Sequence, residues 1–203
     1  MFKEIIETSK WSESHGAEGE FLGAGSLYYF IPYMLKAKKI VCLGSGAGFV
    51  PKLMIEAQKT LFNEGQLLEI SDNIFDVTLI DANIGPWGLP VYNDLIDGYE
   101  NIKIIKDLTD NVYEQFSDID YLHVDADHSY EQIYKDLAHY GTRMNPNKRW
   151  AITIHDTFNP SDGDHPPIGS YHAAVDWANH NKHDIVNFPY GCGTALIMPR
   201  VGL

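Results

Sequence analysis

Lys39-Lys-Ile-Val-Cys-Leu-Gly-Ser-Gly-Ala-Gly48 passes from four consecutive apolar residues into three alternating glycines. Ile40 to Leu43, apolar without alternation, read as a strand buried on both faces of a parallel sheet. Gly44, Gly46 and Gly48 mark a turn where backbone rather than side chain approaches its surroundings closely. Beyond them Val50, Leu53, Met54, Ala57 and Leu61 recur at helical spacing, with Pro51 tolerated in the first turn. A strand, a glycine turn and a helix N-terminus in succession present free backbone N–H groups to a nucleotide-like ligand in an α/β fold.

The spacing narrows that ligand. A dinucleotide fingerprint places its third glycine five positions after the first, whereas Gly48 follows Gly44 by four. Gly44-Ser-Gly-Ala-Gly48 resembles the turn of Rossmann-like methyltransferases that use S-adenosylmethionine (SAM). That resemblance implies SAM contacts from Gly44, Ser45, Gly46 and Gly48. Those enzymes usually carry an acid two positions before the first glycine, where this chain has Cys42.

The chain of 203 residues fits one domain. Its 15 basic against 28 acidic residues leave a formal charge of −13, and no basic cluster exceeds Lys36, Lys38 and Lys39 or the Lys148-Arg149 pair. Docking on nucleic-acid phosphates needs a basic face, so nucleic acid is excluded as a partner. The longest apolar run, Leu27 to Leu35, is too short to span a bilayer, and Met1 to Glu7 lack a signal-peptide layout. The expectation is a cytoplasmic protein without membrane contact, with Cys42 and Cys192 as two thiols rather than a disulfide.

Residues 1–25, polar and glycine-rich, are expected to form a mobile arm or lid. Ser26 is a candidate cap for a helix through about Lys36, in which Pro32 implies a kink or a late start. Residues 1–38 thus read as a lid and helix segment, and 39–203 as the core of a single domain. Further strands are expected at Phe75–Asp81, Ile102–Ile105, Ile119–Asp125 and Trp150–His155. Ser129-Tyr-Glu-Gln132 matches a capping box before a helix whose face carries Tyr130, Ile133, Tyr134 and Leu137. Ser170 is placed as the cap of a later helix. The chain closes with strands at Ile185–Phe188 and Ala195–Met198, joined by a loop short enough to require antiparallel pairing. The fold class is α/β, a doubly wound, mostly parallel, seven-stranded Rossmann-like sheet ending in an antiparallel hairpin. Such a terminal hairpin marks methyltransferase sheets rather than dehydrogenase ones.

Ligands of parallel sheets sit beyond the carboxyl ends of the strands, and Asp81, Asp107, Asp125 and Asp156 all fall there. Each is also a common turn or cap residue. Asp81, with Ala82 beside it, is placed to accept the ribose hydroxyls of an adenosine. It lies further from the glycine turn than the usual ~20 residues because Asn63–Asn73 reads as an inserted polar loop. Asp107 is placed to accept the adenine amino group. In Tyr121-Leu-His-Val-Asp-Ala-Asp-His-Ser-Tyr-Glu131, His123 and Asp125 share a strand face. Adjacent parallel strands lie about 4.8 Å apart, so Asp125 can meet His155 and Asp156 around one cation. An imidazole in such a set favours manganese, iron or zinc over magnesium.

Val124-Asp-Ala-Asp-His-Ser-Tyr130 followed by Ile154-His-Asp-Thr157 resembles the metal-dependent O-methyltransferases of the catechol and caffeoyl-coenzyme A type. It is similar especially to the bacterial macrocin O-methyltransferase and cephalosporin-hydroxylase-like group. The resemblance implies a divalent ion, magnesium or manganese, at Asp125, His155 and Asp156, and a catalytic base at His128 in the place of a lysine. A neutral imidazole at His128 would serve near pH 7 without a large pKa shift. Asp125 then touches ion, cofactor and acceptor alike. His155 stands where the family has a carboxylate.

The expected activity is SAM-dependent O-methylation of a small hydroxylated molecule: a sugar, a phenol or another natural product. Trp87 and the turn-rich loop Asn159–Pro167 are placed on the substrate side, and the aromatic helix at Tyr28–Tyr33 is a candidate surface for a homo-oligomer. Two other readings remain open. One is a methyltransferase-like fold that binds a nucleotide or glycan without catalysis. The other is a metal-dependent hydrolase built on His123-Val-Asp-Ala-Asp-His128.

Overall fold

The computed structural model describes residues 2–9, 11–44, 48–67, 75–82, 99, 101–158 and 169–200. Within them the elements run α1 (Phe2–Glu7), α2 (Leu27–Leu35), β1 (Lys39–Leu43), α3 (Phe49–Asn63), β2 (Asp76–Ile80) and β3 (Ile102–Ile105). They continue as α4 (Thr109–Val112), β4 (Tyr121–Val124), α5 (Tyr130–Gly141), β5 (Ala151–His155), α6 (Gly169–His180), β6 (His183–Phe188) and β7 (Thr194–Pro199).

The strands form one seven-stranded sheet in the order β3-β2-β1-β4-β5-β7-β6. The first five are parallel, and β7 pairs antiparallel with both β5 and β6. This is the expected Rossmann-like sheet. Because successive residues of a strand face opposite ways, the consecutive apolar run of β1 divides between two cores. Ile40 and Cys42 pack with α2 and α3, while Val41 and Leu43 pack with α5 and α6. Both faces are therefore covered, as a parallel sheet requires.

The helical spacing of α3 is realised in full: Val50, Leu53, Met54, Ala57 and Leu61 are all buried. Gln58 on the same helix donates to the carbonyls of Ala37 and Lys38 and accepts from Asp76 N–H, joining the starts of β1 and β2. Ser129 caps α5 by accepting from Gln132 N–H at 3.3 Å.

Several local expectations shift. Ser26 does not cap α2; a 3-10 turn over Gly23–Ser26 leads directly into it, and Pro32 sits inside the helix. Ser170 lies within the first turn of α6 and donates to the His128 carbonyl at 3.3 Å instead of capping. On α5 the buried face is Ile133, Asp136, Leu137 and Tyr140. Tyr130 is instead exposed and donates to Asp176 on α6. Trp87 and Asn159–Pro167 lie outside the described residues, as do Ser45 and Gly46. Cys42 and Cys192 are free thiols. No helix among the described residues is long and apolar enough to cross a membrane.

The segment before α2 is packed rather than extended. Ile5, Ser12, His15 and Ala17 are buried. Ser14 carbonyl accepts from Cys192 N–H at 2.8 Å, so the 11–16 turn lies against the turn between β6 and β7.

Candidate functional site

The carboxyl end of the sheet is assembled by the register of its central strands. Cys42 pairs with His123, and His123 pairs with Thr153, so His123, Asp125, Thr153 and His155 fall on one face by alternation. Gly44 leaves β1 with φ +81°. A Cβ there would lie 2.5 Å from the Asp125 carbonyl carbon and 2.9 Å from Ala126 nitrogen. Glycine is thus required where the β1 turn crosses the exit of β4. Gly48, at φ +90°, is the left-handed residue that opens α3. Cys42, standing in the place of the usual acid, is fully buried and donates its thiol to Gly44 carbonyl at 3.1 Å. Burial pushes that thiol well above its ordinary pKa. It braces the turn and offers no charge to a ligand.

Asp81 emerges partly exposed from β2, its N–H donating to Ile105 carbonyl at 3.0 Å, with Ala82 beside it. Asp107, after β3, already accepts from Leu108 N–H at 2.8 Å and Asn111 Nδ2 at 2.7 Å through one oxygen. Asp107 therefore shapes the entry to α4, as a turn-forming aspartate does.

Asp125 is the hub. One carboxylate oxygen accepts from His155 Nδ1 at 3.0 Å and faces His128 Nε2 at 3.4 Å; the other faces His15 Nε2 at 3.1 Å. Burial alone would raise its pKa, but the three imidazoles overcome this and hold the carboxyl well below the ordinary range. Asp156 leaves β5 at φ +53°, a left-handed conformation that aspartate tolerates better than most residues. Its carboxylate meets His128 Nδ1 at 2.8 Å and lies 3.5 Å from His155 Nδ1. Burial opposes its ionisation too, and both histidines hold its pKa below the ordinary value.

One expectation changes here. Burial by itself would lower the His128 pKa, but hydrogen bonds to Asp125 and Asp156 push it up to about 10. The expected unshifted imidazole is therefore a protonated ion-pair partner at neutral pH. His155 converges on Asp125 and Asp156 as anticipated, yet its Nδ1 donates to Asp125 and its Nε2 to Ser14 carbonyl at 3.1 Å. Burial would favour neutral imidazole, but the Asp125 charge raises the pKa well above normal. With both nitrogens engaged, His155 is held rigidly against Asp125. His155 thus orients Asp125 and stands beside Asp156, the company expected of it.

Two groups of donors lie within 4.8 Å of one another among the described residues: Asp125, His128 and Asp156, open to solvent, and His15, His123 and Asp125, largely enclosed. His15 has no counterpart in the sequence reading. Its ring stacks on His155 with centroids 3.9 Å apart and planes 5° from parallel. His123 donates or accepts through Nδ1 at Thr153 Oγ1, 2.9 Å away. Burial drives its pKa down to about 3, so the ring is neutral.

By sequence the chain matches no protein-family model and no curated protein. By structure it resembles several solved methyltransferases. The SAH-bound methyltransferase of Podospora anserina shares 15% identity over 97% of this chain and 88% of its own, with a TM-score of 0.63. TomG of Streptomyces achromogenes, an O-methyltransferase involved in tomaymycin synthesis and solved with SAM, shares 10% over 97% and 89%, with a TM-score of 0.64. The SAH complex of an O-methyltransferase from Bacillus cereus shares 9% over 98% and 90%, with a TM-score of 0.63. At these identities the shared property is the fold.

Proposed function

We propose that this chain is a SAM-dependent O-methyltransferase acting on a hydroxyl of a small molecule. One observation carries the reading. The Gly44 turn, the Asp81 exit and the Asp125–His128–Asp156 group converge at the carboxyl ends of adjacent parallel strands of one sheet. That is where such sheets bind ligands, and the solved proteins of similar fold include SAM and SAH complexes.

In this reading the glycine turn (Gly44, Ser45, Gly46, Gly48) and the α3 N-terminus lie along the cofactor. Asp81 accepts the two ribose hydroxyls, with Ala82 beside it. Asp107 retains one carboxylate oxygen for the adenine amino group. The acceptor hydroxyl approaches the open group, where the Asp125 and Asp156 carboxylates offer oxygen donors suited to a divalent cation. Bound there, such an ion supplies Lewis-acid activation of the hydroxyl. His128 shares its carboxylate partners with any such cation; displaced from them, it would release its proton to solvent and, as a neutral imidazole, would take the hydroxyl proton. Most of the acceleration comes from positioning and from charge stabilisation.

Calorimetric titration of SAM into the metal-free protein, repeated with magnesium and with manganese, tests the proposal. Micromolar binding is expected. Absence of heat in all three conditions overturns it.

A further inference from the structure

The enclosed donor group has features that the open one lacks. Among the described residues His123 Nε2 is buried and has no hydrogen-bond partner, although a buried ring nitrogen ordinarily finds one. Its other nitrogen is held at Thr153 Oγ1, which is itself 2.7 Å from Tyr121 hydroxyl. His15 is arranged the same way: Nδ1 faces Trp11 carbonyl at 2.8 Å, and Nε2 looks towards Asp125. In both rings the outer nitrogen is anchored by an oxygen. One nitrogen of each ring lies within 4.8 Å of the other's and of an Asp125 oxygen. A metal-binding histidine is typically oriented in this manner by its second shell.

The spacing agrees. Two ligand atoms at about 2.0–2.1 Å from a tetrahedral ion lie about 3.3 Å apart, and His15 Nε2 is 3.1 Å from Asp125 Oδ2. The ring of Tyr28 stands 5.0 Å from that of His123 and 5.8 Å from that of His15, with Phe49 5.9 Å from His15, so aromatic surface walls the group.

We propose that His15, His123 and Asp125 form a buried site for a zinc-class transition-metal ion, held by two imidazoles and one carboxylate. Two nitrogen donors select zinc, cobalt or iron over magnesium and calcium, which take oxygen ligands. The ion ties the 11–16 turn to the end of β4, and it engages the Asp125 oxygen that faces away from His128 and Asp156. The site stands whether or not the chain methylates anything.

The test uses the full chain stripped with a chelator and titrated with Zn2+ by calorimetry and with Co2+ by visible absorption. With excess Mg2+ present to occupy the open group, one Zn2+ per chain is expected. His15→Ala should weaken Zn2+ binding by more than the about 10–100-fold that loss of a second-shell partner costs, whereas Asp156→Ala should leave the affinity within about that range. His123→Cys keeps a ligand in the core. Its Co2+ complex should gain a sulfur-to-cobalt charge-transfer band that the parent lacks. The proposal is overturned if the parent binds neither ion. It also fails if His15→Ala and Asp156→Ala weaken binding equally, or if the Co2+ spectrum of His123→Cys matches the parent's. SAM titration of the same stripped protein reads the methyltransferase reading separately.

Discussion

Gly44→Ala probes the crossing on which the candidate site depends. At φ +81° a non-glycine residue is disfavoured by about 1–2 kcal/mol. The added methyl would also press on the carbonyl group of Asp125 and on Ala126 nitrogen, 2.5 Å from the carbonyl carbon and 2.9 Å from the nitrogen. Both neighbours are backbone, so no side chain can rotate away. Relief requires the exits of β1 and β4 to part by about an ångström, at the about 1–3 kcal/mol typical of overpacking. The sum is about 2–5 kcal/mol. For a chain of 203 residues, about 2–4 °C per kcal/mol converts this to a fall in melting temperature of roughly 4–20 °C. Gly65→Ala is the matched control, because it has φ +69° with nothing among the described residues within 4 Å of the added carbon. It should show the conformational cost alone. Urea denaturation and thermal melts followed by circular dichroism would compare the two. If Gly44→Ala proves no more destabilising than Gly65→Ala, β1 does not cross the exit of β4 as described, and Asp125 is not beside the glycine turn.

Three further outcomes are expected. Asp136 is buried and its carboxyl is raised to about 6 by desolvation, against about 3.9 in an unfolded chain. The native state therefore holds a proton that the unfolded chain has lost, and stability falls as pH rises from about 4 to about 6, by up to about 3 kcal/mol. Asp136→Asn should abolish that slope and stabilise the protein above pH ~6, since its Oδ2 has no partner in the parent; parallel stability–pH profiles would refute this. Tyr28→Phe removes the 2.7 Å partner of Thr194 Oγ1 and should cost about 1–2 kcal/mol in urea denaturation, with no change if the hydroxyl pair is absent. Asp81→Ala should weaken SAM binding about 10–100-fold with an unchanged far-ultraviolet spectrum, and unaltered affinity would remove Asp81 from the ribose.

Much of this was legible before any coordinates, because the strongest signals were local. The apolar run before Gly44, the helical period of α3, the Ser129 cap and the short loop between β6 and β7 each depend on a few neighbouring residues. The meeting of Asp125, His155 and Asp156 followed from strand order and parity. What stayed hidden was the company those residues keep. His15 sits 110 positions before Asp125, in a polar segment without periodicity, and no spacing rule links the two. The state of His128 was equally hidden, because a pKa depends on which carboxylates face the ring rather than on the ring's place in a motif. His123 was visible as a face-mate of Asp125. Its unpartnered nitrogen emerged only when the β4–β5 register set Thr153 against the other side of the ring.

The place of β7 bears on how the molecule comes into being. Among the described strands it comes last in chain order, yet it lies inside the sheet, with Thr194 opposite His155. During synthesis β5 emerges before β7 and is until then a raw edge, its N–H and C=O groups open to any passing strand. Only when β7 slides in does His155 gain its wall and Tyr28 its partner at Thr194. A nascent or clipped chain lacking this strand carries every acid and imidazole of the cluster but cannot lock them together. The cell would meet it as a sticky, inert intermediate rather than as a weak version of the finished protein.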